Sequence, residues 1–362
     1  MAPQRTPLPV ALETVPEVSR ALDGRGLGVL LPETIHSFNG RNDNWSGRTS
    51  TGAQIFLKKI EGPHAQQRFD RTLRFERLRR QGRAPVPAPR CLGWDESSRI
   101  MIYELLDGAR SASDLADDEA FTQELADEAG RVVGRLHNML VEVREVHGMR
   151  PVRILLDGQE AVSAAAYASA SGALLELWGL FQGDATLAAA VDRLQRSTDQ
   201  APRAPIHGDL RLDQFLCSAN GLSMVDWEEF CYADPARDIG AFMGEWIHRA
   251  LSAGLTESPT DNETLMKSWG QELDRRMPFI RAFWDGYVGE RVVTDPELGV
   301  RTAGFTGWHL LDRVMAGCIE RHKLTALQRA QIGIARTIMI DSKNFLEITG
   351  IEADTASKEL VA

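Results

Sequence analysis

Apolar and polar positions change rhythm along the chain, from short extended runs near the start to long helical stripes later. Leu27 to Ile35 (LGVLLPETI) reads as a helix end or a strand. The next stretch, HSFNGRNDNWSGRTSTGAQIFLKKIEG, gives two strand candidates around a polar, glycine-containing loop, Gly40 to Gly47. Ala65 to Gln81 carries Phe69, Leu73, Phe75 and Leu78 close to helical spacing, and its many arginines mark a solvated face. Ala84 to Pro89 (APVPAP) is too proline-rich for helix and predicts an extended connector. A strand, a turn at Asp95 to Ser98 and a buried strand, Ile100 to Leu105, follow.

After Asp107-Gly108 the pattern turns helical. Phe121, Leu125, Ala129, Val132, Val133, Leu136 and Leu140 form an apolar stripe, with Asp117, Asp118 and Glu119 at its front, where the helix dipole favours acid. His137, near the end of that helix, reads as packed or solvated rather than catalytic. Residues 150 to 200 are mostly helical, broken at Gly183-Asp184. Phe215 to Cys217 is a short strand, Ser218 to Gly221 a turn and Leu222 to Val225 the return strand. A helix with Phe242, Trp246, Ile247 and Leu251 inward comes next, then a polar loop at 255–262 and further helices. Their aromatics Phe279, Phe283, Trp284 and Tyr287 read as core. The last dozen residues read as frayed, and no internal repeat is present.

The chain has 362 residues, enough for about two domains or lobes. Hydrophobic content of 43% and charged content of 25% are those of a soluble globular protein. No apolar run approaches the roughly 18 residues that span a bilayer, and the N-terminus lacks the apolar segment of a signal peptide. Four scattered cysteines without a CxxC pair predict reduced thiols and a cytoplasmic location. A net charge of −10 argues against non-specific nucleic-acid binding.

The chemistry concentrates in Ile206 to Asp238, IHGDLRLDQFLCSANGLSMVDWEEFCYADPARD. His207 and Asp209 are followed by the polar Gln214, and Asp226 follows a short apolar run. Phosphoryl transfer needs one carboxylate to orient a hydroxyl, and an oxygen ligand with a second carboxylate to hold Mg²⁺ on the nucleotide phosphates. The hairpin between the two parts predicts that Gln214 and Asp226 lie close together at one end.

HGDLRLDQ, VDWE and DPARDIG occur in that order. The stretch resembles the aminoglycoside phosphotransferase and choline kinase family. The resemblance implies an α+β, bilobal protein-kinase-like fold, with a β-rich N-lobe over residues 1–106 and a mostly helical C-lobe over 107–362. It implies Asp209 as catalytic base, Gln214 and Asp226 as Mg²⁺ ligands, and Asp238 as a structural partner of the catalytic loop. Gln214 stands where Asn is usual and sets its carbonyl one methylene further out. His207 reads as a packed scaffold residue. Arg211 either meets the γ-phosphate or pairs with Asp213.

In the N-lobe the same resemblance places Lys58 on the α and β phosphates of ATP or GTP, with Lys59 on the other strand face toward solvent. Without the catalytic motif these would be two ordinary edge lysines. Glu76 is the acid best placed to hold Lys58, with Asp70 next. Pairing of Glu76 with Arg79 or Arg80 is the alternative. Gly40 and Arg41 would cover the triphosphate, unless the loop is a plain hairpin turn. Backbone groups around Glu104, Leu105 and Leu106 would meet adenine.

HGDLRLDQF, GRNDNW and DWEEF…DPARDIGAFMGEW also look like a subset of the family found with peptide-modifying lyases of lanthipeptide or thioamitide type. That likeness implies a Ser or Thr of a ribosomally made precursor peptide as acceptor and a partner lyase. The alternatives are a small-molecule kinase acting on an aminoglycoside or macrolide, and a nucleotide-binding pseudokinase marked by Gln214.

Overall fold

The computed structural model describes residues 11–38, 40–142, 162–254 and 262–351. The polar loop expected at 255–262 and the frayed end lie almost wholly outside them, as does the start of the helical stretch expected from residue 150. The fold is α+β and forms two compact units. One holds the described residues up to Asp114 together with Gln214–Phe230; the other holds Leu115–Asp213 with the described residues from Cys231 onward. The chain therefore crosses between units at 114/115, 213/214 and 230/231, while the family resemblance implies one lobe boundary after Leu106.

The first unit is built on an antiparallel sheet of order β1-β2-β3-β5-β4. Its strands are β1 (His36–Phe38), β2 (Asp43–Arg48), β3 (Gln54–Lys59), β4 (Cys91–Asp95) and β5 (Ile100–Glu104). Alternation along β3 decides what each face does. Ile55 and Leu57 are fully buried and pack with Trp45, Ile102 and helix α1 (Pro16–Asp23). Phe56 and Lys58 take the other face, on which helix α2 (Ala65–Arg80) packs Phe69 and Leu73 against Ile60 and Met101.

Three local expectations change. Gly47 lies inside β2, opposite Ile55 of β3, and not in the loop; a Cβ there would sit 3.0 Å from Leu30 and 3.3 Å from the Thr34 carbonyl oxygen, so close packing and not a turn calls for glycine. Leu27 to Ile35 forms no helix or strand beyond a short 3-10 turn at Pro32–Thr34. Lys59 does leave the Lys58 face, but it meets carboxylates on the way: Glu17 of α1 at 2.7 Å and Glu61 at 3.0 Å.

Residues 214–230 join this unit as the expected hairpin. Phe215–Ser218 pairs with Gly221–Met224, and Gly221 at φ +101° closes the turn. The Pro87 carbonyl in the extended connector accepts the Met224 N–H at 2.8 Å.

The second unit is mainly helical. Its helices include Gln123–His137, Gly172–Gly183, Ala185–Gln200, Ala236–Ala253, Asn262–Glu290, Leu298–Cys318 and Ala326–Ile340. Thr122 caps the first of these, so the acidic run 117–119 precedes its first turn, and Asp117 pairs instead with Arg249 at 2.5 Å. Leu140 falls beyond the helix end at His137 and is 87% exposed, leaving the predicted stripe. Phe283, Trp284 and Tyr287 are buried, and Phe279 packs on Trp246 and Phe121, as the core reading requires. Among the described residues no helix is long and apolar enough to cross a membrane.

Gln123–His137 and Asn262–Glu290 touch backbone to backbone. A Cβ at Gly130 would lie 2.0 Å from the Phe283 carbonyl oxygen, and one at Gly286 would lie 2.1 Å from that of Asp127. Backbone cannot rotate away as a side chain can. Gly130→Ala is therefore expected to destabilise the protein by about 2–3 kcal/mol, read as a lower urea midpoint with an unchanged slope.

Candidate active site

Lys58 lines a cavity of about 420 Å³ within the first unit. Phe38, Phe56, Leu105 and Leu216 are among its apolar lining residues, and Glu76, Gln214 and Asp226 among its polar ones. Lys58 Nζ is 2.6 Å from Asp226 Oδ1 and is also paired with Glu228. Burial alone would push the ammonium pKa down, but the two carboxylates outweigh it and hold Lys58 protonated.

The hairpin and its flanks supply Gln214, Leu216, Met224 and Asp226 to this cavity. The Gln214 carbonyl accepts the Val225 N–H at 2.9 Å, so the residue before the first hairpin strand and the residue after the second are tied together. Gln214 is buried. Asp226 has φ +69°, a left-handed conformation that a non-glycine residue holds only where its surroundings impose it. Here Trp227 stacks on Phe75 of α2 with ring centroids 3.4 Å apart, and Phe230 meets the same ring edge-on.

Two carboxylates of the following turn are held by α2. Arg68 donates to Glu228, and Arg71 donates to Glu229. Arg68 is 2% exposed and Arg71 5%, so part of the arginine-rich face read as solvated is interior. Paired carboxylates make that burial tolerable. Asn42 joins them, its Nδ2 donating to Glu228 Oε1 at 2.5 Å.

Glu76 lines the same cavity as Lys58, but its ion pair is with Arg79 at 3.3 Å, the alternative drawn from the sequence. Lys58 is instead engaged by Asp226 and Glu228. Glu76 is nearly fully buried, and that burial raises its carboxyl pKa against the opposing pull of Arg79. Asp70, the second choice, accepts from Gln66 on the exposed side of α2. Arg41 is exposed and donates to the Pro63 carbonyl at 3.3 Å. The cavity lining includes neither Gly40 nor Arg41 among the described residues. Glu104 and Leu105 do line it, with their N–H groups committed to the Arg90 and Gln54 carbonyls at 3.0 and 3.1 Å.

The second unit carries the other half of the motif. Strand Ala204–Ile206 pairs with Cys231–Ala233 and delivers His207 into the interior, fully buried. Asp238, also fully buried, accepts the His207 N–H at 2.7 Å on one oxygen and the Gly208 N–H at 2.9 Å on the other. Gly208 has φ +86°, which bends the backbone after His207. The Asp209 side chain is half exposed. Arg211 lies 3.2 Å from Asp213 and 3.8 Å from Asp209. The salt bridge drawn as one alternative is thus present, and the guanidinium also reaches the Asp209 carboxylate.

Sequence reading gave no role to three residues that the geometry brings in: Glu228 pairs with Lys58, and Asn42 and Arg68 converge on Glu228. His137, read as packed or solvated, is buried, contacts Asp238 at 3.2 Å and bonds the Tyr287 hydroxyl at 3.1 Å. Glu228 and Asn42 sat in quoted motifs, VDWE and GRNDNW; nothing in the local pattern singled out Arg68.

The model of the phosphotransferase enzyme family, APH, matches residues 34–279, a span that contains Lys58, Gln214 and Asp226 of the first unit and His207, Asp209 and Asp238 of the second. The chain belongs to this family. Three solved structures share the fold of this phosphotransferase at low identity. Amicoumacin kinase hAmiN, in complex with AMP-PNP, Ca²⁺ and Ami, has a TM-score of 0.56 and 12% identity over 91% of this chain and 94% of that one. APH(2")-IIa, in a ternary complex with streptomycin and ATP, has a TM-score of 0.54 and 11% identity over 92% and 99%. Spectinomycin phosphotransferase APH(9)-Ia, with ADP and spectinomycin, has a TM-score of 0.52 and 12% identity over 93% and 99%. No curated protein matches the phosphotransferase by sequence. Its membership makes it a kinase whose acceptor is a hydroxyl group.

Proposed function

We propose that this phosphotransferase moves the γ-phosphate of ATP to a Ser or Thr hydroxyl of a ribosomally made precursor peptide, before a partner lyase eliminates the phosphate. The observation that carries the nucleotide half is the part-buried Lys58, held by Asp226 and Glu228 on a cavity that apolar side chains also line. An ammonium there suits α and β phosphates, and the apolar lining suits a base.

The donor set fits Mg²⁺. Asp226, Glu228 and the Gln214 amide offer oxygen only, and Mg²⁺ takes one or two carboxylates and completes its shell with water and phosphate. When bound, the ion would neutralise charge on the phosphates. Asp226 and Gln214 would hold it, and Lys58 would hold the α and β phosphates. Asp209 would accept a hydrogen bond from the acceptor hydroxyl and orient it toward the γ-phosphorus, while Arg211, already beside Asp209, would donate to the γ-phosphate.

The peptide acceptor rests on the likeness of HGDLRLDQF, GRNDNW and DWEEF to the lyase-associated kinases. A second reading, an antibiotic acceptor, is favoured by the neighbours solved with streptomycin and spectinomycin. Mass spectrometry separates them. The protein is incubated with ATP and Mg²⁺ and either Ser/Thr-rich precursor peptides encoded beside its gene or a panel of aminoglycosides and macrolides. The expected result is one added phosphoryl group on a peptide, absent with Asp209→Ala. Phosphate on an antibiotic replaces the peptide reading. Retained ATP binding with transfer to neither points to a pseudokinase.

A further inference from the structure

An ammonium has three N–H donors. Lys58 Nζ places one on Asp226 Oδ1 at 2.6 Å and another on Glu228 Oε1. These are its partners among the described residues, so the third N–H stays available. Two fixed bonds at a tetrahedral nitrogen also fix the direction of the third. The acid of helix α2 does not take part: Glu76 lines the same cavity but pairs with Arg79.

Glu228 is held where it stands. It is 7% exposed, its Oε2 accepts from Arg68 Nη1, and its Oε1 accepts from Asn42 Nδ2 at 2.5 Å. Arg68 Nη1 also donates to Asn42 Oδ1 at 3.1 Å. Both residues reach the Glu61 backbone, Arg68 Nη2 donating to its carbonyl and Asn42 Oδ1 accepting its N–H at 3.3 Å. Asn44, opposite Lys58 on β2, donates to the Asn42 carbonyl at 3.2 Å. Helix α2 thus supplies a cation to this cluster, and the turn after Asp226 supplies the acid. Two cations, Lys58 and Arg68, face Asp226 and Glu228, and all three ion pairs can persist while a phosphate oxygen takes the third Lys58 N–H.

We infer that Glu228, held by Arg68 and Asn42, is the positioning residue of Lys58: it takes the part expected of Glu76 and aims the third N–H of the ammonium at the α and β phosphates. This inference rests on the reading of Lys58 as the phosphate-binding lysine. Calorimetric titration with ADP and with adenosine at constant Mg²⁺ tests it, because only ADP carries phosphates. Lys58→Met lowers the preference for ADP over adenosine and sets the scale. Glu228→Gln is expected to lower that preference about tenfold, the size of one charge-assisted contact, with adenosine binding intact. The double variant Lys58→Met/Glu228→Gln is expected to stay within about threefold of Lys58→Met, since Glu228 acts through a lysine that has gone. Losses that add instead would make Glu228 a direct holder of phosphate or metal and overturn the inference. So would a Glu228→Gln loss shared equally by adenosine, the mark of a merely structural role, or a preference left native. Glu76→Gln is expected to keep the preference. If it lowers the preference as far as Lys58→Met does, the helix acid is the positioning group, and this arm decides even where Glu228→Gln does not fold. A native protein that binds ADP no better than adenosine, or whose preference survives Lys58→Met, overturns the reading of Lys58 and the inference with it.

Discussion

Asp209→Asn is expected to lower kcat by about three orders of magnitude while leaving ADP affinity and fold intact. The family chemistry leaves little covalent work for the protein, so most of the acceleration comes from placing the hydroxyl and from charge. A positioned base contributes about 10²–10⁴-fold, and Asn keeps the size of the side chain while removing both the proposed base and the charge beside Arg211. The half-exposed carboxylate supports no packing, so thermal stability should stay within about 0.5 kcal/mol of native. ADP binding should persist because the cavity lined by Lys58 and Asp226 does not include Asp209. Single-turnover transfer from labelled ATP, run beside calorimetry with ADP, checks both parts. A loss of less than tenfold would show that another group orients the acceptor, and joint loss of ADP binding would show that the substitution acted through structure.

Much of this site was legible because its parts are local. The hairpin of residues 215–224 declares itself by two short apolar runs around Ser-Ala-Asn-Gly, and its closure follows from that register. Lys58 and Lys59 separate to opposite faces by strand alternation alone. What stayed hidden depends on partners far along the chain. Arg68 and Arg71 look like surface residues until Glu228 and Glu229 are brought to them. Gly47 looks like a loop glycine until Leu30 and Thr34 close over it. The helix ending at His137 excludes Leu140 although the apolar period continues through it, because the Asn138 cap, not periodicity, ends the helix. Glu76 shows the same limit: it is the acid on its helix best placed to hold Lys58, yet Arg79 one turn away engages it.

Asp238→Asn should destabilise the protein by about 3 kcal/mol and cut kcat about a hundredfold, although it changes one atom. The carboxylate offers a separate oxygen to the His207 and Gly208 N–H groups, and His137 Nε2 shares the first. An amide has one oxygen, so its NH₂ must face an N–H or the His137 donor, leaving a buried donor unmatched at about 1–3 kcal/mol, with the lost charge-assisted bonds added. Asp209 follows Gly208 directly, so a backbone that relaxes to relieve the mismatch carries this proposed base out of line.

The pH dependence carries a signature of its own. Burial by itself would raise the Asp238 pKa, but hydrogen bonds from His137 and the Gly208 backbone, with the neighbouring imidazoles, bring it below the ordinary value. A folded pKa below the unfolded one gives stability that is present at neutral pH and is lost as pH falls below about 4 toward the folded pKa. His137 adds a separate acid sensitivity. Burial lowers its pKa against the pull of Asp238, so the unfolded chain takes the proton first and stability declines as pH falls below about 6.5. Urea unfolding of both proteins from pH 7.5 to 3 should show a loss through the histidine range that starts together but runs further in Asp238→Asn, where the pull of Asp238 on His137 is gone, then a narrowing gap below about pH 4, as the native carboxylate gives up the advantage that Asn never had. A gap that stays constant to pH 3 would mean that Asp238 stabilises the loop through shape and not through charge.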